Sequence, residues 1–107
     1  MSRFQDKVVL VTGGTSGIGR EAAKAFAREA APLGITANVV APGLIDTEML
    51  RSTVTSSGAL EAAAQAIPLG RIGQVPDVAA AVAYLVSPSA AYLTGVVIDV
   101  NGGYRMP

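Results

Sequence analysis

Lys7-Val-Val-Leu-Val-Thr-Gly-Gly-Thr-Ser-Gly-Ile-Gly19 sets the architecture of this chain. Val8 to Val11 is an unbroken apolar run, as expected of a strand buried on both faces of a parallel sheet. Thr12 to Gly19 is a glycine-rich turn, and from Gly17 onward the pattern becomes helical. A strand, a glycine turn and a helix N-terminus in this order form an anion site. Glycines let the backbone approach a phosphate, unpaired helix N–H groups point at it, and the helix dipole favours its charge. The spacing Thr12-Gly13-x-x-x-Gly17-x-Gly19 differs from the G-x-G-x-x-G of ordinary dinucleotide folds. The same residues would also suit a tight turn that binds nothing.

Composition narrows the options. The 107 residues amount to one domain, residues 1–107, with half of them apolar and 15% charged, so the chain is globular rather than disordered. Net charge is zero and no basic run occurs, which gives no electrostatic case for nucleic acid or an anionic membrane. No apolar stretch is long enough to span a bilayer. Met1 to Asp6 lacks the apolar core of a signal peptide, which makes a cytoplasmic location the expectation. The absence of cysteine removes disulfides, thiol nucleophiles and thiolate metal sites. The absence of histidine removes the commonest metal ligand and general base.

Along the chain, the first helix is expected from Ser16 or Gly17 to about Ala31. Ile18, Ala22, Ala25, Phe26 and Ala30 group near one face. Pro32 and Gly34 stop it. Ile35 to Val40 reads as a second strand, ended by Ala41-Pro42-Gly43. Asp46 or Thr47 caps a short helix through Val54, Ser52 to Gly58 reads as a connector, and Ala59 to Ile67 as another short helix. Leu69 to Gln74 reads as a turn. Pro76 opens a helix to Val86 that is apolar nearly all round and therefore expected to be buried or packed on another subunit. Val96 to Val100 is a third strand, ended by Asn101-Gly102-Gly103.

The Thr12-Gly-x-x-x-Gly-x-Gly19 pattern resembles the signature of the short-chain dehydrogenases/reductases. Asn38-Val-Val-Ala-Pro-Gly43-Leu-Ile-Asp-Thr47 looks like the stretch ending that family's sixth strand. Pro68-Leu-Gly-Arg-Ile-Gly73 with Asp77-Val-Ala looks like the approach to its last helix, and Leu93-Thr-Gly-Val-Val-Ile-Asp-Val-Asn-Gly-Gly103 like its final strand. The branch it is most similar to is the bacterial 3-oxoacyl-carrier-protein reductases. The resemblance implies NAD or NADP as cofactor. Gly13, Ser16, Gly17, Ile18 and Gly19 would meet its pyrophosphate. Pro42, Gly43, Ile45 and Thr47 would border the nicotinamide, with Thr47 bonding the carboxamide. Pro42-Gly43 also suits a plain strand-ending turn, and Thr47 a plain helix cap.

Family members are generally more than twice this length. The resemblance also implies features that this chain lacks: a strand reading the adenosine ribose, an Asn-Asn-Ala-Gly stretch, a catalytic serine and a Tyr-x-x-x-Lys. Tyr84, Tyr92 and Tyr104 have no lysine four residues on, and the last lysine is Lys24. No residue is therefore assigned as catalytic. Asp46, Glu48 and Asp99 are scattered carboxylates that suit solvated or capping roles, and no metal site is assigned. Ala25-Phe-Ala-Arg-Glu-Ala-Ala-Pro-Leu-Gly-Ile35 satisfies both the end of the family's first helix and the approach to its sixth strand. An internal deletion with a junction near residues 27–31 would account for this.

In the full family the first and sixth strands are not neighbours. Joining them predicts an α/β, minimal Rossmann-like three-layer fold. Its three-stranded parallel sheet would have the first and second strands paired through a right-handed crossover, with helices on both faces. Two open edges and leftover apolar helix surface predict a homo-oligomer through the 76–86 helix and the 96–100 strand. The rival expectation is a non-catalytic structural or interaction protein, self-associating or paired with a full-length paralogue.

Overall fold

Val8–Thr12 (β1) and Thr36–Pro42 (β2) lie side by side as parallel strands, in register from Val8 opposite Thr36 to Thr12 opposite Val40. This is seen in a computed structural model that describes residues 8–12, 17–54, 56 and 58–106. Between them runs α1, Gly17–Ala30, followed by a 3₁₀ turn at Ala31–Leu33. The helix ends where Pro32 cannot continue it and Gly34 takes a left-handed φ of 74°, its N–H donating to the Ala31 carbonyl at 3.0 Å. Val97–Val100 (β5) pairs in parallel with the other side of β2, from Val39 opposite Val97 to Pro42 opposite Val100. The sheet order is therefore β1-β2-β5.

β2 is the core of the molecule. Ala37 to Ala41 are buried without a break, so both faces of the strand are covered, and α1 and α4 (Val75–Leu85) are the helices that pack on it. This is the expected doubly covered parallel sheet. The one polar residue in that run, Asn38, is completely buried and hydrogen-bonded at both its nitrogen and its oxygen. Its side-chain N–H donates to the Leu93 carbonyl at 3.2 Å, and its Oδ1 accepts from the Val96 N–H at 3.2 Å. Asn38 thereby fastens the segment leading into β5 to the centre of the sheet. Thr94 adds a third tie, its hydroxyl accepting from the Ala37 N–H at 3.0 Å.

Several expectations are corrected. Of the five residues grouped on one face of α1, only Ala30 is turned to the sheet, together with Ala23 and Ala27, while Ile18, Ala22, Ala25 and Phe26 are left out. Alanines allow the helix backbone to lie close on the strands, and Ile18 is left 85% exposed. Leu69 to Gln74 is not all turn: Gly73–Gln74 (β4) pairs in parallel with Ile45–Asp46 (β3) as a separate two-stranded ladder. The short helices are α2, Glu48–Thr53, which takes in Ser52 and Thr53 from the expected connector, and α3, Ala59–Gln65. α4 is not enclosed. Only Leu85 on it is buried, while Val75 and Tyr84 are about half exposed. A three-stranded sheet offers room for one stripe of an all-round apolar helix.

Asn38→Ala leaves the Leu93 carbonyl and the Val96 N–H without partners, at a cost of about 1–3 kcal/mol for each group that stays dry. Urea unfolding should show a lowered midpoint with an unchanged slope. An unchanged midpoint would mean the clamp carries no stability.

Candidate functional site

Because all three strands run in parallel, their carboxyl ends gather at one edge of the sheet. Open α/β sheets bind ligands outside that edge. Thr12 ends β1, Pro42 ends β2 and Val100 ends β5. Gly17, Ile18 and Gly19 form the first turn of α1. Gly13 and Ser16, assigned to the pyrophosphate, lie outside the described residues.

The four residues assigned to the nicotinamide wall do come together. Pro42, Gly43, Ile45 and Thr47 line one open cleft of about 500 Å³, mostly apolar, closed on its other sides by α2 and by Val75 and Val78 of α4. Gly17 to Gly19 are not among its lining residues. Each wall residue also has a structural duty. A Cβ on Gly43 would stand 2.6 Å from the Asn101 Cβ, so only glycine lets the end of β2 pass the end of β5, and its N–H continues the ladder to the Val100 carbonyl at 2.9 Å. Thr47 is the N-cap of α2, its Oγ1 accepting from the Leu50 N–H at 3.2 Å. That bond uses an acceptor lone pair and leaves the hydroxyl proton free to donate. The cleft and this proton fit a carboxamide-bearing ring. Ile45 is held by the β3–β4 ladder, and its Cδ1 lies over Gly73, 2.7 Å from where a Cβ would stand, so a side chain there would turn the Ile45 tip aside.

The carboxylates near the cleft are occupied by arginines. Asp46 takes a bidentate grip from Arg51, at 2.6 Å from Nε and 2.8 Å from Nη2. These hydrogen bonds hold its carboxyl below the usual range. Asp77 is gripped by Arg71 at 2.9 and 3.2 Å and accepts from the Gln74 N–H at 2.8 Å, which holds its carboxyl down to about 2. The sequence reading did not single out Arg51, Arg71 or Asp77 as structural groups. The cue was present in Pro76-Asp77, an acidic residue in the first turn of a helix. Asp99 stands exposed on β5. Among the described residues no group of three carboxylates, histidines or cysteines could hold a metal ion. Tyr84, Tyr92 and Tyr104 are 49%, 102% and 68% exposed, so Tyr84 is not the buried residue its helix pattern suggested. Lys24 pairs with Glu21 on α1 at 3.7 Å.

A family profile described as enoyl-(acyl carrier protein) reductase matches residues 14–105. The chain belongs to the short-chain dehydrogenase/reductase family. It is 45% identical to the 3-oxoacyl-acyl-carrier-protein reductase FabG of Vibrio cholerae and 48% identical to that of Escherichia coli, each over 83 residues. Those matches take in 78% of this chain and 33% of each relative, so the chain spans a third of the length of these curated relatives. Among solved structures, a short-chain dehydrogenase/reductase from Brucella melitensis superposes with a TM-score of 0.83 at 30% identity, covering 96% of this chain and 47% of that one. YwfH, an NADPH-dependent reductase involved in bacilysin biosynthesis, superposes with a TM-score of 0.82 at 27% identity, covering 94% and 47%. Among the described residues no helix is long and apolar enough to cross a membrane.

The Asp77 carboxyl sits at about 2 in the folded chain against 3.8 unperturbed. A depressed acid stabilises fully above the unfolded value and loses that contribution as pH falls through the folded one. Stability should therefore fall between about pH 4 and pH 2. In Asp77→Asn this part of the loss should be absent, as read by thermal melts across the pH series.

Proposed function

We propose that this chain is a compacted short-chain dehydrogenase/reductase remnant that binds NAD or NADP without performing the family's reaction. The observation that carries it is the sheet edge. The first turn of α1, which starts at Gly17, and an apolar cleft lined by Pro42, Gly43, Ile45 and Thr47 follow the ends of two hydrogen-bonded strands. Gly13, Ser16, Gly17, Ile18 and Gly19 would hold the pyrophosphate. The cofactor would supply a hydride. What the chain lacks is the partner of that step. In the family pattern a tyrosine phenol passes a proton to the carbonyl oxygen, a lysine lowers its pKa and a serine orients the carbonyl. None of the three tyrosines here has a lysine four residues on. Losing a positioned general acid removes about 10²–10⁴-fold of rate.

The dinucleotide also meets a changed frame. The two half-sites belong to strands that are not neighbours in the full family, and here they are one strand spacing apart, about 4.8 Å. The turn should therefore hold the pyrophosphate better than the cleft can hold the nicotinamide at the same time. We place the internal deletion near residues 27–31 and the chain in the cytoplasm. The reading as a structural or interaction protein is favoured by one observation, the exposed apolar side of α1 around Ile18. Pairing with a full-length paralogue belongs to that reading.

Calorimetric titration of the folded chain should show saturable binding of NADH or NADPH. ADP, which lacks the nicotinamide, should bind within about tenfold of NADH, a difference of about 1.4 kcal/mol or less. Gly17→Glu should abolish both by putting a carboxylate where the phosphates sit, with an unchanged circular dichroism spectrum. Carbonyl reduction that tracks the purified chain would contradict the non-catalytic part. A folded chain that binds neither nucleotide would favour the structural reading.

A further inference from the structure

Asn101-Gly102-Gly103 follows β5, and the chain holds only one other asparagine, Asn38. An asparagine followed by glycine is the pairing most open to one spontaneous reaction, attack of the next backbone nitrogen on the side-chain amide carbon. Glycine puts no side chain beside that nitrogen. The two asparagines stand in opposite settings. Asn38 is fully buried in a strand, with its amide bonded at both ends. The nitrogen that follows it is engaged in the ladder, the Val39 N–H donating to the Val96 carbonyl at 2.9 Å. The β-branched side chain of Val39 crowds it as well. Asn101 is half-buried and, with Gly102, lines an open cleft of about 290 Å³ that water can enter.

The local geometry prepares Asn101 for that attack. Its Oδ1 accepts from the Gly103 N–H at 2.9 Å, so the side chain closes a turn over its own backbone two residues on. The ring closed by this bond contains both Cγ and the Gly102 nitrogen, and it folds the amide carbon back toward that nitrogen. The Gly103 N–H also stands where it stabilises the negative charge that Oδ1 gains as the nitrogen attacks. Further bonds keep the turn. The Tyr104 N–H donates to the Asn101 carbonyl at 3.2 Å, and the Leu69 N–H to the Gly102 carbonyl at 3.1 Å. Asn101 Nδ2 donates to the Arg105 carbonyl at 3.1 Å, an exposed contact that water replaces when the amide nitrogen leaves.

We infer that Asn101-Gly102 is a self-modification site of the folded chain, and that its isoaspartyl product loosens the end of β2. Solvent hydroxide removes the Gly102 N–H proton, the nitrogen bonds to Cγ, and Nδ2 leaves as ammonia, taking its third hydrogen from water. Water then opens the cyclic imide. Cleavage at Cγ leaves aspartate at position 101. Cleavage at the backbone carbonyl leaves isoaspartate, with the main chain running through Cβ and Cγ. Nothing is oxidised or reduced, and water is the only co-reactant. The isoaspartyl product falls on a tight crossing: a Cβ on Gly43 would stand 2.6 Å from the Asn101 Cβ and 2.9 Å from its Cα. Lengthening the main chain by an atom at this point displaces the end of β5 from Gly43, whose N–H bonds the Val100 carbonyl and which lines the apolar cleft. The reaction needs no nucleotide and stands apart from the proposed function.

Peptide mapping by mass spectrometry reads the reaction in the unsubstituted chain, held folded at mildly alkaline pH. Amide-to-acid exchange should accumulate at residue 101 at least tenfold faster than at residue 38, with isoaspartate detected by enzymatic methylation of its carboxylate. Ammonia release should fall to background in Asn101→Asp. The rate at residue 101 in buffer should lie within tenfold of the rate in urea. A stable chain is unfolded for about a thousandth of the time or less, so a reaction confined to unfolded molecules would lag by about a thousandfold. In the isoaspartyl fraction the Gly43 amide should exchange at least tenfold faster than in the unmodified chain, with α1 amides unchanged. An amide that persists at residue 101, exchange at residue 38 that keeps pace with it, a lag of more than tenfold behind the urea rate, or unaltered Gly43 exchange in the isoaspartyl fraction would each overturn the inference.

Discussion

The ladder between β1 and β2 is the constraint on which everything else in this chain rests. Two parallel strands need a crossover, and α1 with its 3₁₀ extension is the only segment long enough to supply it between Thr12 and Thr36. Once β1 is paired, β2 becomes a central strand, and its run from Ala37 to Ala41 can be buried on both faces. Only then does the Asn38 clamp make sense. A buried amide is tolerable there because Leu93 and Val96 satisfy both of its ends, and in doing so it fixes where β5 must join. The order β1-β2-β5 follows, and with it the common edge where the three strands end.

Much of this was legible in the sequence because the signals are local. The apolar run at Val8 to Val11, the Pro32 and Gly34 stop, Thr47 as a cap and Pro76 at a helix start each depend on a few adjacent residues, and each holds in the structure. The parts that were not legible depend on partners distant in sequence. Ile45–Asp46 and Gly73–Gln74 are too short to carry a period, and they become strands only by pairing with each other across the chain. The face of α1 was misread because apolar size was weighted over fit. The sheet took the small Ala23, Ala27 and Ala30 and left Ile18 out. The all-round apolar pattern of α4 leaves burial and packing on another subunit open, and the three-stranded sheet buries only one stripe of it.

The candidate site shows the same division. Pro42, Gly43, Ile45 and Thr47 were assigned by resemblance, and the fold does bring them to one cleft. Each is also explained by structure alone: Gly43 by its approach to Asn101, Thr47 by its cap, Ile45 by its ladder. The fold therefore holds these residues at one cleft through bonds and contacts that need no ligand. The carboxylates that might have looked catalytic, Asp46 and Asp77, are instead bound to Arg51 and Arg71 and stabilise the starts of α2 and α4.

The most direct test of the account is whether β1 lies against β2 in solution. Nuclear magnetic resonance on the isotope-labelled chain reads this from cross-strand contacts. The account predicts nuclear Overhauser effects linking Val9 and Leu10 to Ala37 and Asn38 in a parallel pattern, with slow amide exchange along β2. A β2 that remains protected while residues 8–12 show no contact to it and exchange like a free peptide would contradict it.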